Sequence, residues 1–186
     1  MDGSHAASKN RPRTVLERCI QVVAPHQPAH VLDIGCGEGR DSSALARATG
    51  ALVIAVDIDP VALGRAPRVP GVHYVLADTR RLPIASTMAD AVYSYGLLQV
   101  LREGGNETIR VALREMRRTL KRDGNVILGT VADFRHQGPD FRSLTGAEVS
   151  QVMRGTLILR ELIGVMDTDA KGHQSRYWYI HALPVP

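Results

Sequence analysis

Three aspartates and three glycines carry the chemistry legible in this chain. Gly35, Gly37 and Gly39 alternate through Asp33-Ile34-Gly35-Cys36-Gly37-Glu38-Gly39-Arg40-Asp41. Glycines so spaced strip the side chains from a turn and let a nucleotide-like ligand approach bare backbone. Ser42-Ser43-Ala44-Leu45-Ala46-Arg47-Ala48 then suits a helix, whose N-terminus turns N–H groups toward the same place. Asp57 follows about 20 residues on, where α/β nucleotide sites put a carboxylate that accepts from both vicinal hydroxyls of a ribose. Asp78 ends a later strand and is placed to accept from an exocyclic amine. Three carboxylates would repel a pyrophosphate but suit a phosphate-free, partly cationic ligand. The turn is also not the dinucleotide fingerprint, whose sixth position is glycine where this chain has Arg40, and no Gly-Lys-Ser/Thr of a phosphate loop follows.

The elements that position these residues read as an alternation of strands and helices. Thr14-Val15-Leu16-Glu17 has capping-box spacing, with an apolar stripe of Val15, Leu16, Cys19, Ile20 and Val23 and a stop before Pro25. Strands are expected at His30–Ile34, Ala51–Val56, Val72–Leu76, Asp90–Tyr95 and Asn125–Val131. The run Ala51–Val56, apolar on both faces, is the pattern of a parallel strand covered by helices. Asp59 is placed to cap a short helix at Val61–Arg65. A longer helix is expected over Asn106–Leu120, with Ile109, Leu113, Met116 and Leu120 inward and Arg110, Arg114, Arg117 and Lys121 outward. Asp123-Gly124 reads as the turn after it. Phe134–Leu144 reads as irregular, Thr145-Gly146-Ala147-Glu148 as a second capping box, and Thr156–Met166 and Arg176–Ala182 as strands joined by a polar turn, Asp167–Gln174. The pattern predicts a doubly wound α/β sheet closed by a hairpin whose last strand is antiparallel.

The bulk properties agree with this. The chain has 186 residues, 44% hydrophobic and 23% charged, with a formal net charge of +4. That is one domain with a full core. Met1–Asn10 is small and polar, without the apolar stretch of a secretory signal, and reads as a disordered tail before a single domain over residues 11–186. No apolar run has the length of a membrane helix. Cys19 and Cys36 give neither a disulfide framework nor metal spacing, which suits a reducing cytoplasm.

Val31–Gly39, Ala55–Pro60, Ala77–Pro83, Asp90–Val100 and Leu120–Leu128 resemble, in order and spacing, the successive motifs of class I S-adenosylmethionine-dependent methyltransferases. The resemblance implies a Rossmann-like, seven-stranded, mostly parallel sheet of order 3-2-1-4-5-7-6 with strand 7 antiparallel and helices on both faces. It implies S-adenosyl-L-methionine as cofactor and S-adenosyl-L-homocysteine as product. Gly35, Gly37 and Gly39 would approach the methionine part, Asp57 would hold the ribose, Asp78 with Thr79 would meet the adenine, and Ser94 and Tyr95 would border the sulfonium. Asp33, Cys36, Arg40 and Ile58 complete the implied cofactor set. Phe141–Thr145 and Asp167–Gly172 are similar to the small tellurite-resistance, TehB-like members. Those have a His-Arg pair where this chain has Met166-Asp167, and an arginine where it has Gln174.

Methyl transfer from a sulfonium needs alignment more than acid–base machinery. Tyr95, Gln99, His136, His173 and Arg176 are the candidate acceptor-side groups. A small-molecule acceptor is expected, because no insertion large enough to cap a bulky substrate is visible, and a monomer or homodimer suffices. No Asn-Pro-Pro-Tyr follows strand four, which weakens a base-methylating nucleic-acid enzyme. The arginine stripe on Asn106–Leu120 keeps an RNA or acidic-protein acceptor open. A non-catalytic binding or partner module is the third alternative.

Overall fold

The computed structural model of the chain describes residues 14–132, 143–168 and 174–185. The expected tail, residues 133–142 of the irregular segment and residues 169–173 of the polar turn lie outside them. Helix α1 (Thr14–Val23) runs into a short 3-10 turn. The chain then alternates through β1 (His30–Ile34), α2 (Arg40–Thr49), β2 (Leu52–Asp57), α3 (Pro60–Arg65), β3 (Val72–Leu76) and β4 (Ala89–Tyr95). Next come α4 (Leu97–Leu101), α5 (Gly105–Thr119), β5 (Leu120–Val131), α6 (Gly146–Met153), β6 (Leu157–Thr168) and β7 (Gln174–Pro184).

The seven strands form one sheet in the order β3-β2-β1-β4-β5-β7-β6. The first five run parallel, and β7 is antiparallel to both β5 and β6. This is the order and polarity that the sequence implied. Alternation along the strands sends residues to two separate cores. Val31, Val53, Ala91, Tyr93 and Ile127 pack with Val15, Cys19 and Val23 of α1 and Leu45 of α2. Leu32, Ile34, Val92, Val126 and Leu128 pack with Leu98, with Ile109, Leu113 and Met116 of α5, and with Val149 and Val152 of α6. The four residues expected to face inward from the long helix, Ile109, Leu113, Met116 and Leu120, are fully buried.

Two local readings are corrected. The helix α4 was not anticipated, because five residues hold too little of a 3.6-residue period to register. Asp123-Gly124 is not a turn outside the sheet. β5 already begins at Leu120, and the register jumps from Ala89↔Leu120 to Ala91↔Asn125, so Lys121–Gly124 bulge out of the ladder. Glycine is required there, since a Cβ on Gly124 would sit 2.6 Å from Leu120 Cδ1 and 2.9 Å from the Asp90 carbonyl oxygen. Lys121 of the bulge pairs with Asp90, whose other oxygen accepts from Ala29 and His30 N–H at 2.9 Å each and ties down the start of β1.

The capping box at α6 forms as expected, with Thr145 and Glu148 each accepting from the other's backbone. Glu148 also receives the guanidinium of Arg102, which is 8% exposed at its side chain. The Arg102 hydrogen bond, followed by the Thr145 N–H, pulls the Glu148 carboxyl down to about 2 from an ordinary 4.5. A depressed carboxyl contributes stability that is complete above about pH 4.5 and is lost as pH falls toward 2. Glu148→Gln is therefore expected to cost about 1–2 kcal/mol at neutral pH, because the carboxylate is partly solvated. The variant's denaturation midpoint should converge on that of the wild type in acid. Parallel midpoint curves from pH 7 to 2 would contradict this.

Candidate functional site

The glycine turn leaves β1 at its carboxyl end. Gly35 and Cys36 both donate to the Val56 carbonyl of β2, at 2.8 and 3.1 Å, so the turn is hung from the neighbouring strand. Gly35, Gly37 and Gly39 all take positive φ, +76°, +55° and +71°. Their surroundings differ. A Cβ on Gly39 would lie 2.3 Å from the Tyr74 hydroxyl, and one on Gly35 would lie 3.2 Å from Leu97. A Cβ on Gly37 would meet nothing within 4 Å among the described residues. Gly39 and Gly35 are thus glycines for packing, whereas Gly37 presents its backbone to open space.

Asp57 fixes the turn from below. One carboxylate oxygen accepts from Gly37 N–H at 2.7 Å and the other from Asp59 N–H at 2.9 Å. Asp59 in turn caps α3 by accepting from Val61 N–H at 2.8 Å. Beneath α2, buried Asp33 accepts from the Ser42 hydroxyl at 2.6 Å and buried Asp41 from the Tyr93 hydroxyl at 2.8 Å. Burial, reinforced by the charge of Asp41, keeps the Tyr93 phenol well above its usual range and so protonated. Burial likewise raises the Cys36 thiol, which therefore stays a thiol rather than a nucleophilic thiolate.

Two cavities open along this edge of the sheet. The first, about 480 Å³, is lined by Asp57, Ile58, Asp78, Thr79, Leu97 and Val100 among others. The second, about 700 Å³, is lined by Asp33, Cys36, Gly37, Arg40, Asp41 and Arg47 among others. They meet at Gly35 and Tyr95, the residues that line both. In the first cavity the Thr79 hydroxyl is buried without a hydrogen-bond partner among the described residues. A buried hydroxyl left unpaired costs about 1–3 kcal/mol. Asp78 faces the same space but already holds Arg80, whose Nε lies 2.9 and 2.8 Å from its two oxygens. That hydrogen bonding holds the Asp78 carboxyl below its ordinary range.

The structure brings Asp33, Gly35, Cys36, Gly37, Arg40 and Tyr95 to one cavity and Asp57, Ile58, Asp78 and Thr79 to the other. Ser94 is buried and donates to the Ile34 carbonyl at 2.6 Å, joining β4 to β1. Gln99 is buried, and its amide oxygen accepts from the Thr130 hydroxyl at 2.8 Å, so that oxygen is engaged with β5. Arg176 is an exposed residue of β7 whose backbone carbonyl receives Ala132 N–H at 2.8 Å. None of these three lines either cavity. His136 and His173 lie outside the described residues. Leu97, Val100 and Leu101 of α4 are among the lining residues missed in the sequence. Their signal was an unassigned apolar run directly after Gly96.

Residues 32–128, just over half of the chain, match the family model described as "Methyltransferase domain". The malonyl-[acyl-carrier protein] O-methyltransferase of Pseudescherichia vulneris is 32% identical over 130 residues, 69% of this chain and 48% of that protein. The enzyme of the same name from Methylovorus sp. (strain MP688) is 32% identical over 151 residues, 74% of this chain and 47% of that protein. The chain thus spans about half the length of the curated relatives it matches. Two solved structures share its fold. A TehB-like SAM-dependent methyltransferase from Corynebacterium glutamicum superposes with a TM-score of 0.69 at 23% identity, covering 92% of this chain and 88% of that one. The Burkholderia thailandensis 1,6-didemethyltoxoflavin-N1-methyltransferase, with bound S-adenosylhomocysteine, gives 0.72 at 19% identity, covering 93% and 79%.

The three glycines should separate in stability measurements. Gly37→Ala is expected to cost only the left-handed backbone strain, about 1–2 kcal/mol. Gly39→Ala should cost clearly more in chemical denaturation, because its methyl also strikes Tyr74. Equal losses would refute the distinction between a packing glycine and one that faces open space.

Proposed function

The chain belongs to the methyltransferase domain family, and from that premise we propose that it transfers a methyl group from S-adenosylmethionine to a small-molecule acceptor. The observation that carries the reading is the pair of cavities meeting at Gly35 and Tyr95, with Asp57 on one side and the open Gly37 backbone on the other. The residues present suit the cofactor. Each Asp57 oxygen has one backbone N–H and keeps lone-pair capacity for a ribose hydroxyl. Thr79 lines the cavity with Asp78 at the adenine end, where an amine donor would share the Asp78 carboxylate with Arg80. Buried Asp33 and Asp41 supply negative charge near the cationic end.

S-adenosylmethionine, when bound, supplies an electrophilic methyl on a sulfonium that leaves as a neutral thioether. The protein's part is then alignment, which is worth up to about 7–11 kcal/mol when reactants are held at near-attack distance. Gly37 admits the ligand to the turn, Asp57 holds that turn in place, and Tyr95 borders the passage between the cavities. The protonated Tyr93 and Cys36 hold the surroundings of α2 without acting as bases.

For the acceptor we favour a small molecule bearing a carboxylate. Arg40 and Arg47 line the larger cavity and have no hydrogen-bond or ion-pair partner among the described residues. The curated relatives are named for O-methylation of a malonyl group. The RNA reading has less support, because the arginines of α5 are engaged within the chain. Arg110 and Arg114 pair with Glu107, Arg118 pairs with Glu115, and Arg117 donates to the Val185 carbonyl.

The test is isothermal titration with S-adenosylhomocysteine, followed by an acceptor panel assayed for its release. The panel comprises malonyl and other carboxylate thioesters, thiols, halides, tellurite and selenite, amines and phenols. Asp57→Ala is expected to weaken S-adenosylhomocysteine binding tenfold or more, since a hydrogen bond to a charged group is worth about 1.5–3 kcal/mol. Gly37→Ala should stay folded and bind poorly. Wild-type affinity in a folded Asp57→Ala variant would remove Asp57 from the site, and no binding by the wild type would favour the non-catalytic module.

A further inference from the structure

We propose that Gly129 is a positioning residue of the site and acts through Tyr95; this rests on the methyl-donor reading above. Tyr95 of β4 lies opposite Gly129 of β5, and Gly129 lies opposite Tyr179 of β7. A Cβ on Gly129 would fall 2.6 Å from Tyr95 Cδ2, 3.1 Å from its Cε2 and 3.0 Å from Val15 Cγ1. Gly129 does not take a left-handed φ, so the backbone does not demand glycine there. The demand is for space. The Tyr95 ring occupies the volume that any side chain at 129 would need.

Through that gap Tyr95 crosses β5 and stacks on Tyr177 of β7, with ring centroids 5.0 Å apart and planes at 28°. Such a pair prefers a fixed offset arrangement. Tyr177 is buried behind the ring and Val15 of α1 packs beside it, so among the described residues the cavity side is the one left for a ring displaced from Gly129. That side is the junction of the two cavities, which among the described residues Tyr95 and Gly35 share. The opposite wall is also bare, and a Cβ on Gly35 would already touch Leu97 at 3.2 Å. A ligand long enough to occupy both cavities passes between Gly35 and Tyr95. The missing side chain at 129 therefore sets the width of that passage.

The experiment is S-adenosylhomocysteine titration of the full chain as wild type, Gly129→Ala, Tyr95→Ala, the double variant and Tyr177→Leu, each below its melting temperature. Gly129→Ala is expected to weaken binding tenfold or more. In the Tyr95→Ala background the same change should alter Kd less than twofold, because the ring that transmits it is gone. Tyr177→Leu, which loosens the ring without crowding it, should weaken binding several-fold. An equal loss from Gly129→Ala in both backgrounds, or wild-type affinity in Gly129→Ala, would overturn the proposal. Should Gly129→Ala not fold, Tyr177→Leu decides, and unchanged affinity there overturns it. A wild type that does not bind S-adenosylhomocysteine overturns the methyl-donor reading itself, whereas binding that is insensitive to these variants overturns this inference alone.

Discussion

The carboxylate of Asp57 is the constraint on which the rest of the site depends. It closes one strand end onto the turn of the next by accepting from Gly37 and Asp59. Two peptide groups that leave their strands in different directions are thereby held to one point. At alternate positions the turn that follows β1 has no side chain with which to set its shape. The Val56 carbonyl holds Gly35 and this carboxylate holds Gly37 instead. A loop built from glycine gives access to backbone, and the entropy of ordering it must be offset from outside. Here the neighbouring strand supplies that.

The electrostatics divide along the same edge. Negative charge is concentrated and buried around the first turn of α2, while on α5 Arg110 and Arg114 share Glu107, Arg118 pairs with Glu115 and Arg117 donates to the Val185 carbonyl. Exposed pairs of that kind contribute little to stability. They do engage every arginine of the long helix within the chain, whereas Arg40 and Arg47, beside the larger cavity, have no partner among the described residues.

What the sequence made legible follows the range of the interaction. β1 and β2 were readable because a strand covered on both faces is apolar nearly throughout, and the Asp59 cap because its partner is two residues away. The stripe of α5 spans four turns and shows its period plainly. α4 does not, at five residues. Asp123-Gly124 has the composition of a turn and the structure of a bulge, because the distinction lies in the strand opposite and not in the dipeptide. The same holds at the site. The glycine turn and the three aspartates were visible as spacing, whereas the engagement of the Gln99 oxygen with Thr130 and the crossing of Tyr95 over Gly129 depend on which strands become neighbours. No local pattern encodes those neighbours.

The sheet order has a consequence for how the chain assembles. β7 is the last strand in sequence yet sits between β5 and β6. Among the described residues, β6 pairs with no other strand, and β7 closes the outer edge of β5. Until the final strand arrives, two earlier strands remain open edges of the kind that recruit foreign chains. One insertion then closes both at once. β7 thus acts as the keystone of an arch, carrying the strands on either side of it.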